Sequence, residues 1–247
     1  MKNRLVIKVG TSTLLDSHDS PSKAFEYIAE SIKKLRDDYD IVLVSSGAIG
    51  FGVTQLKISE RPKDLENLQA LSMIGQVGLM KRWGKAFQDV TIGQVLVTRN
   101  DLHDDTSVAY VQKSIQHVWS YGAIPIVNEN DAISTDEISF GDNDQLAARI
   151  AVIVGANRLI LLTDQDGIMR DFGTDQQTRL SIVSIDEAMK HISPTKSGLG
   201  KGGASSKLLA AADALEAGVE VFIAHAATPQ AIERVLAGQA GTKIVHY

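Results

Sequence analysis

Ala123-Ile124-Pro125-Ile126-Val127 runs into Asn128-Glu129-Asn130-Asp131, and a little later Gly141-Asp142-Asn143-Asp144 opens onto the apolar pattern of Gln145 to Val154. A short apolar run bounded by polar residues reads as a buried strand, and the later stretch, apolar at helical spacing, as a helix. So a strand ends in amides and carboxylates and a helix begins in others. In an open α/β sheet, ligands sit beyond the carboxyl ends of strands, and helix N-termini favour anions and acidic capping side chains. The segment reads as the polar bed of a small-molecule site. The same residues suit a long surface turn with a capped helix, because Asn and Asp favour turns for local reasons.

The same grammar repeats outward from this stretch. Leu5 to Val9 is a short β-branched strand that leads into Gly10-Thr11-Ser12-Thr13. Ile41 to Val44 is a buried strand that runs into Ser45-Ser46-Gly47-Ala48, and Leu159 to Leu162 ends at Thr163-Asp164. Val95 to Val97 and Val219 to Ala224 are further strands, and Thr242 to Val245 closes the chain. Helical spacing covers about Ser22 to Arg36, Asp64 to Phe87, Val108 to Trp119, Ile185 to His191, Lys207 to Glu216 and Pro229 to Leu236. Buried strands alternating with helices predict a mostly parallel sheet covered on both faces. If the strands run parallel, the ends at Gly10, Ser46, Asn128 to Asp131 and Thr163 share one edge. Trp83 and Trp119 fall on apolar helical positions and read as core. The long helix 64–87 reads as core or as a subunit interface.

Composition narrows the function classes. The chain has 247 residues, 44% of them hydrophobic and 22% charged, with a formal net charge of −5, an ordinary balance for a globular protein. No basic run gives the electrostatic footprint of nucleic-acid binding. Cysteine is absent, which excludes disulfides and thiolate chemistry. No stretch approaches a membrane span, and the apolar run after the N-terminus stops at Lys8, too soon for a signal peptide. The expected location is the cytoplasm. His18, His103, His117, His191, His225 and His246 show no metal-ligand spacing, and no nucleophile elbow occurs.

Three further features could carry chemistry. Lys8 lies in an apolar strand, where an ammonium is costly without an anion, beside a glycine and hydroxyl turn whose backbone N–H groups can converge on phosphate. An edge-strand lysine reaching out to water fits the pattern equally. Ser46-Gly47-Ala48 repeats the device, or is a simple N-cap. Glycines at 198, 200, 202 and 203 precede Ser205, Ser206 and Lys207 at the head of a helix. Glycine permits close backbone approach to a ligand, and a helix N-terminus with a lysine offers positive potential to a polyphosphate.

Lys8-Val9-Gly10-Thr11-Ser12, Ser45-Ser46-Gly47-Ala48, Asn128-Glu129-Asn130-Asp131, Gly141-Asp142-Asn143-Asp144, Leu162-Thr163-Asp164 and Gly200 to Lys207, in that order, resemble the glutamate 5-kinase family of the amino acid kinase superfamily. The resemblance runs from Lys8 to about Val245. It implies a three-layer αβα sandwich on an open, mainly parallel sheet. It implies one kinase domain over 1–247, with a substrate lobe at about 1–155 and a nucleotide lobe at about 156–247. It implies ATP-dependent phosphorylation of the L-glutamate γ-carboxylate, with Mg²⁺, as the first step of proline biosynthesis. By the motifs, Ser46, Gly47, Asn128, Asp131 and Asn143 bind glutamate. Lys8 and Lys207 contact phosphates, and Asp144 orients them. Gly10, Thr163, Asp164, Lys201, Gly202, Gly203, Ala204, Ser205 and Ser206 line the nucleotide. Implied partners are proline as feedback inhibitor, with 52–64 near the substrate, further copies of the chain in a dimer or tetramer, and a glutamyl phosphate reductase. Many longer relatives carry a C-terminal PUA module; the sequence stops at Tyr247, and the expected form lacks it. The segment Ala132 to Phe140 reads as a flap over the substrate. Two other readings are a kinase for another small acid or phosphate, and a non-catalytic sensing module on the same scaffold.

Overall fold

Val, Ile and Leu fill the runs that become strands, and amphipathic stretches become the helices between them. A computed structural model describes residues 2–15, 22–134, 143–191, 203–226 and 228–246. In chain order these hold β1 (Asn3–Val9), α1 (Thr11–Leu14), α2 (Ala24–Leu35), β2 (Tyr39–Ser45), α3 (Ala48–Gln55), α4 (Leu65–Phe87), β3 (Ile92–Val97), α5 (Asp105–Ser120), β4 (Ile124–Glu129) and α6 (Asn143–Val154). Then come β5 (Arg158–Thr163), β6 (Met169–Arg170), β7 (Thr178–Arg179), β8 (Ile182–Ser184), α7 (Ile185–His191), α8 (Ala204–Glu216), β9 (Glu220–His225), α9 (Ala231–Leu236) and β10 (Thr242–Val245). Lys201, Gly202 and most of the expected flap, 135–140, lie outside the described residues.

One eight-stranded sheet has the order β3-β4-β2-β1-β5-β9-β10-β8. β1 pairs in parallel with β2 and with β5, β2 and β3 pair in parallel with β4, and β5 with β9. Only β10 runs antiparallel to its neighbour β9 within this sheet. β1 is therefore central, and Lys8 stands between Val44 and Leu161 instead of on an edge. The small hairpin β6–β7, the strand β8 and the helix α1 are too short to show a period in the sequence.

Side chains alternate across a strand, so each central strand feeds two cores. Val6, Val44, Val127 and Leu161 pack on one face with Leu146, Ala147, Ile150 and Ala151 of α6 and Ala210, Ala211 and Ala214 of α8. Leu5, Ile7, Leu43 and Ile160 pack on the other face with Phe25 and Ile28 of α2 and Leu79, Trp83 and Phe87 of α4. These are the three layers expected. Trp83 is fully buried, 4.4 Å from the Phe25 ring, and its Nε1 donates to Ser45 Oγ at 2.9 Å. Trp119 packs against the opposite core and donates from Nε1 to the Ile41 carbonyl at 2.8 Å. Helix starts obey local chemistry: Asp64 accepts from the Asn67 N–H at the head of α4, and Asp104 from the Ser107 N–H at the head of α5. The second cap is why α5 begins earlier than its apolar spacing suggests. Among the described residues, no helix is long and apolar enough to cross a membrane.

α3 lies against α4 through an apolar cluster of Ile49 and Val53 with Leu68 and Leu71, and at two glycines the backbones themselves approach. A Cβ on Gly75 would meet the Ala48 carbonyl oxygen at 1.8 Å, and one on Gly52 would meet the Leu71 carbonyl oxygen at 2.1 Å. Backbone thus packs on backbone, and α4 holds the start of α3 in place. Overpacking such a contact costs about 1–3 kcal/mol. We expect Gly75→Ala to lower the urea midpoint by that amount of stability. Gly84→Ala, on the same helix with only Ile92 Cδ1 at 3.9 Å from the added carbon, should be neutral or stabilising by up to about 1 kcal/mol, the helix preference for Ala. Equal midpoints for the two variants would refute the packing argument.

Candidate active site

Because β1, β2, β4 and β5 run parallel, their carboxyl ends open on one edge of the sheet. There they form a cavity of about 360 Å³. Its walls bring together Lys8 and Gly10 from the β1 end, Ser46 and Gly47 from the β2–α3 junction, Asn128 and Asp131 after β4, Asn143 at the start of α6, Thr163 and Asp164 after β5, and Lys207 in the first turns of α8. Pieces scattered over the whole chain share one small volume.

Lys8 projects to the same face as Val6, toward α6 and α8. Its Nζ lies 2.6 Å from Asp144 Oδ1. Lys207 Nζ reaches Asp144 Oδ2 at 3.0 Å, and Ser206 Oγ donates to the same oxygen at 3.2 Å. Asp144 is completely buried, and the two lysine side chains are 4% and 10% exposed. A carboxylate in the first turn of α6 also meets the positive end of that helix. The arrangement fixes two ammonium groups at one side of the cavity. A Cβ on Gly10 would sit 3.6 Å from Lys8 Nζ, so a longer side chain there would cover the ammonium. α8 has no acidic residue in its first turn and no side-chain cap at Gly203. Ala204, Ser205 and Ser206 form that turn, which leads into Lys207.

The opposite wall is made of amides and hydroxyls. Asn143 Nδ2 donates to Asn128 Oδ1 at 2.7 Å, and Asn128 Nδ2 donates to Gln76 Oε1 at 3.0 Å. Gly47 adopts φ 117° between β2 and α3, a conformation that favours glycine. Ser46 Oγ and Thr13 Oγ1 are buried and have no hydrogen-bond partner among the described residues. A buried hydroxyl left unpaired costs about 1–3 kcal/mol, and both residues line the cavity; a polar ligand would satisfy them. Burial pushes the Asp131 carboxyl up to about 6, and the nearby Arg61 charge opposes that rise.

Sequence reasoning missed Gln76, and it placed the segment 52–64 near the substrate without singling out Arg61. Gln76 sits inside the apolar spacing of α4, where only its buried neighbours distinguish it from a surface residue. Arg61 lies in a polar segment without period. A larger cavity of about 540 Å³ runs along α6 and α8 and touches the site through Asn143. It lacks the paired lysines and both unpartnered hydroxyls, so the smaller cavity is the one equipped for chemistry.

Residues 3–225 match the amino acid kinase family. The chain is 39% identical to a glutamate 5-kinase of Clostridium acetobutylicum, over 95% of this chain and 91% of that one. It is 41% identical to a glutamate 5-kinase of Gloeobacter violaceus, over 97% of this chain and 67% of the relative. Of a third, from Mycolicibacterium gilvum, 40% identical, it spans 63%. Among solved structures, carbamate kinase from Giardia lamblia bound to AMP-PNP superposes with a TM-score of 0.70 at 16% identity, over 100% of this chain and 99% of that one. An isopentenyl phosphate kinase does so with 0.64 at 20%, over 98% and 100%. These two establish the fold alone. With the family match over most of its length and close relatives of one kind, the chain belongs to the amino acid kinase family, among its glutamate 5-kinases.

Proposed function

We propose that this protein transfers the γ-phosphoryl group of ATP to the γ-carboxylate of L-glutamate, giving L-glutamyl 5-phosphate at the entry to proline biosynthesis. The convergence of Lys8 and Lys207 on Asp144 at 2.6 and 3.0 Å, beside the amide and carboxylate wall, carries this reading. The glutamate 5-kinases it resembles supply the acceptor. Glutamate is held on the 1–155 half by Ser46, Gly47, Asn128, Asp131 and Asn143. Nucleotide is held on the 156–247 half by Thr163, Asp164 and the segment from Lys201 to Lys207, with Gly10 and Lys8 opposite.

A γ-carboxylate has a reference pKa of about 4.3 and is ionised at neutral pH. One of its oxygens forms a bond to the γ-phosphorus as the bond from that phosphorus to the β-phosphate oxygen breaks. ADP leaves with the electron pair, and no proton need be removed from the acceptor. The obstacle is repulsion between an anion and a polyanion, so catalysis is positioning and charge stabilisation. Lys8 and Lys207 meet the charge on the transferring group, and Asp144 keeps both ammonium groups aimed at it. Among the described residues no group of three or more His, Asp or Glu could hold a metal. Mg²⁺ held mainly by phosphate oxygens and water needs only one or two protein carboxylates, and Asp164 at the cavity wall fits that need. Such an ion would supply positive charge against the β- and γ-phosphates. The reading extends to a cytoplasmic homo-oligomer, inhibited by proline, that passes its labile product to a glutamyl phosphate reductase.

The direct test is ADP release with glutamate, ATP and Mg²⁺, with hydroxylamine to trap the acyl phosphate. Glutamate-dependent ADP with matching hydroxamate is expected; turnover confined to another acceptor, or none, would overturn the reading.

Removing a charge aimed at the transition state in a dry site costs roughly 3–4 kcal/mol. Lys207→Ala should therefore lower kcat roughly 10²–10³-fold. Lys8→Ala should do the same, and both variants should lower Tm, because each strips a partner from the fully buried Asp144. Wild-type turnover in both would remove the lysines from the mechanism.

Asp131→Ala should raise the KM for glutamate at least about 10-fold, the loss of a hydrogen-bonded charge partner, while the KM for ATP stays unchanged. The wild-type protein should show a matching pH response. Asp131 is shifted up to about 6, so the carboxylate that meets the ammonium forms only as pH rises through that value. kcat/KM for glutamate should fall below about pH 6, following the free enzyme. The folded state holds this proton more tightly than the unfolded chain, so the contribution of Asp131 to stability weakens as pH rises from 3.8 through about 6. An acid limb that persists at the same pH in Asp131→Asn would assign it to another group.

A further inference from the structure

An amino acid acceptor presents three charges, and the site as described accounts for two. The γ-carboxylate meets the phosphoryl group, and Asp131 suits the α-ammonium. The α-carboxylate needs a donor, preferably a cation. Lys8 and Lys207 converge on Asp144 on the phosphate side. Asn143 and Asn128 are tied in series to each other and to Gln76.

Arg61 stands in the same cavity wall as Asp131 and Ser46. Its guanidinium makes no hydrogen bond or ion pair with any described residue, and it faces Asp131 closely enough for the two charges to interact. Its backbone is also constrained. Pro62 follows, and a residue before proline is held to extended conformations; Asp64 then caps α4. The short segment between α3 and α4 is thus anchored just beyond Arg61.

We propose that Arg61 is a specificity-determining residue that receives the α-carboxylate of the acceptor while Asp131 receives its α-ammonium. The assignment rests on the glutamate reading of the site. The planar fork of a guanidinium matches a carboxylate with two parallel hydrogen bonds, which a lysine cannot do. Arg61 and Asp131 are not closed into an ion pair with each other, since no contact within salt-bridge distance joins them. A zwitterion entering between them meets an opposite charge at each of its own charges. An acceptor lacking either charge leaves one of the two unmatched, which is discrimination built from complementarity.

The test compares L-glutamate with its α-amide, isoglutamine, which keeps the γ-carboxylate and the ammonium but is neutral at the α-carboxyl position. Wild type, Arg61→Ala and Arg61→Lys are assayed with both acceptors, and Tm is recorded for each. Wild type should prefer glutamate in kcat/KM by roughly 10–100-fold, the worth of a hydrogen bond to a charged group. In Arg61→Ala that preference should collapse at least about 10-fold, through the KM for glutamate, with kcat and the KM for ATP changing far less. Arg61→Lys should fall between. An unchanged preference in Arg61→Ala, or an equal loss for both acceptors, would overturn the assignment while leaving the kinase reading intact. A wild-type enzyme that does not turn over glutamate would overturn the kinase reading itself, and the assignment with it.

Discussion

A carboxylate buried between two lysines dictates much of this fold. Moving such charges out of water costs several kcal/mol per ion, recovered only when the geometry is good. Asp144 is 0% exposed, and Lys8 and Lys207 reach its two oxygens separately. This requires β1 at the centre of the sheet, with the Lys8 face turned to α6 and α8. It also requires the N-terminal turns of those two helices to come close together. The seam between them is built for that approach. Ala147, Ala148 and Ala151 on α6 and Ala210, Ala211 and Ala214 on α8 are all buried, and small side chains bring helix axes together. The alanine content of these helices is therefore part of the site, although no alanine there touches a ligand.

The acceptor wall is held by a different device. Gly52 and Gly75 let α3 and α4 meet backbone to backbone, which fixes the turn carrying Ser46 and Gly47. From α4, Gln76 reaches across to Asn128, and Asn128 to Asn143 at the head of α6. One amide chain thus runs from the acceptor wall to the residue preceding Asp144. The two halves of the site meet at consecutive positions of one helix start, Asn143 and Asp144. Displacing α6 would disturb acceptor and phosphate contacts together.

The sheet was legible because strands buried on both faces leave unbroken apolar runs, and the shared edge followed from their parallel direction. Lys8 was not settled by the sequence. An ammonium in a strand suits an edge as well as a centre, and only the pairing of β1 on both sides decides it. The strand order was hidden for the same reason, since apolar runs do not record their neighbours. The reversal of β10 against β9 leaves no mark in composition. Asp144 and Lys207 were readable as a helix start and a glycine-led helix start. Their meeting is a tertiary fact, as is the seat of Arg61, which lies in a polar stretch that has no period to read.

The energetic liabilities of the molecule collect at this one edge. Ser46 and Thr13 bury hydroxyls without partners among the described residues, Asp131 is held where its ionised form is disfavoured, and three charges are packed under the cavity floor. Elsewhere the two cores are apolar and continuous. Each unpaired hydroxyl costs about 1–3 kcal/mol, a sizeable part of the roughly 5–15 kcal/mol that separates folded from unfolded domains. The apolar cores offset that cost, and in return the polar groups wait in place for a ligand instead of pairing with each other. Preorganisation of this kind lowers what must be ordered on binding. It also places the stabilising effect of a ligand on the same groups whose burial is costly, so binding should tighten this edge of the sheet.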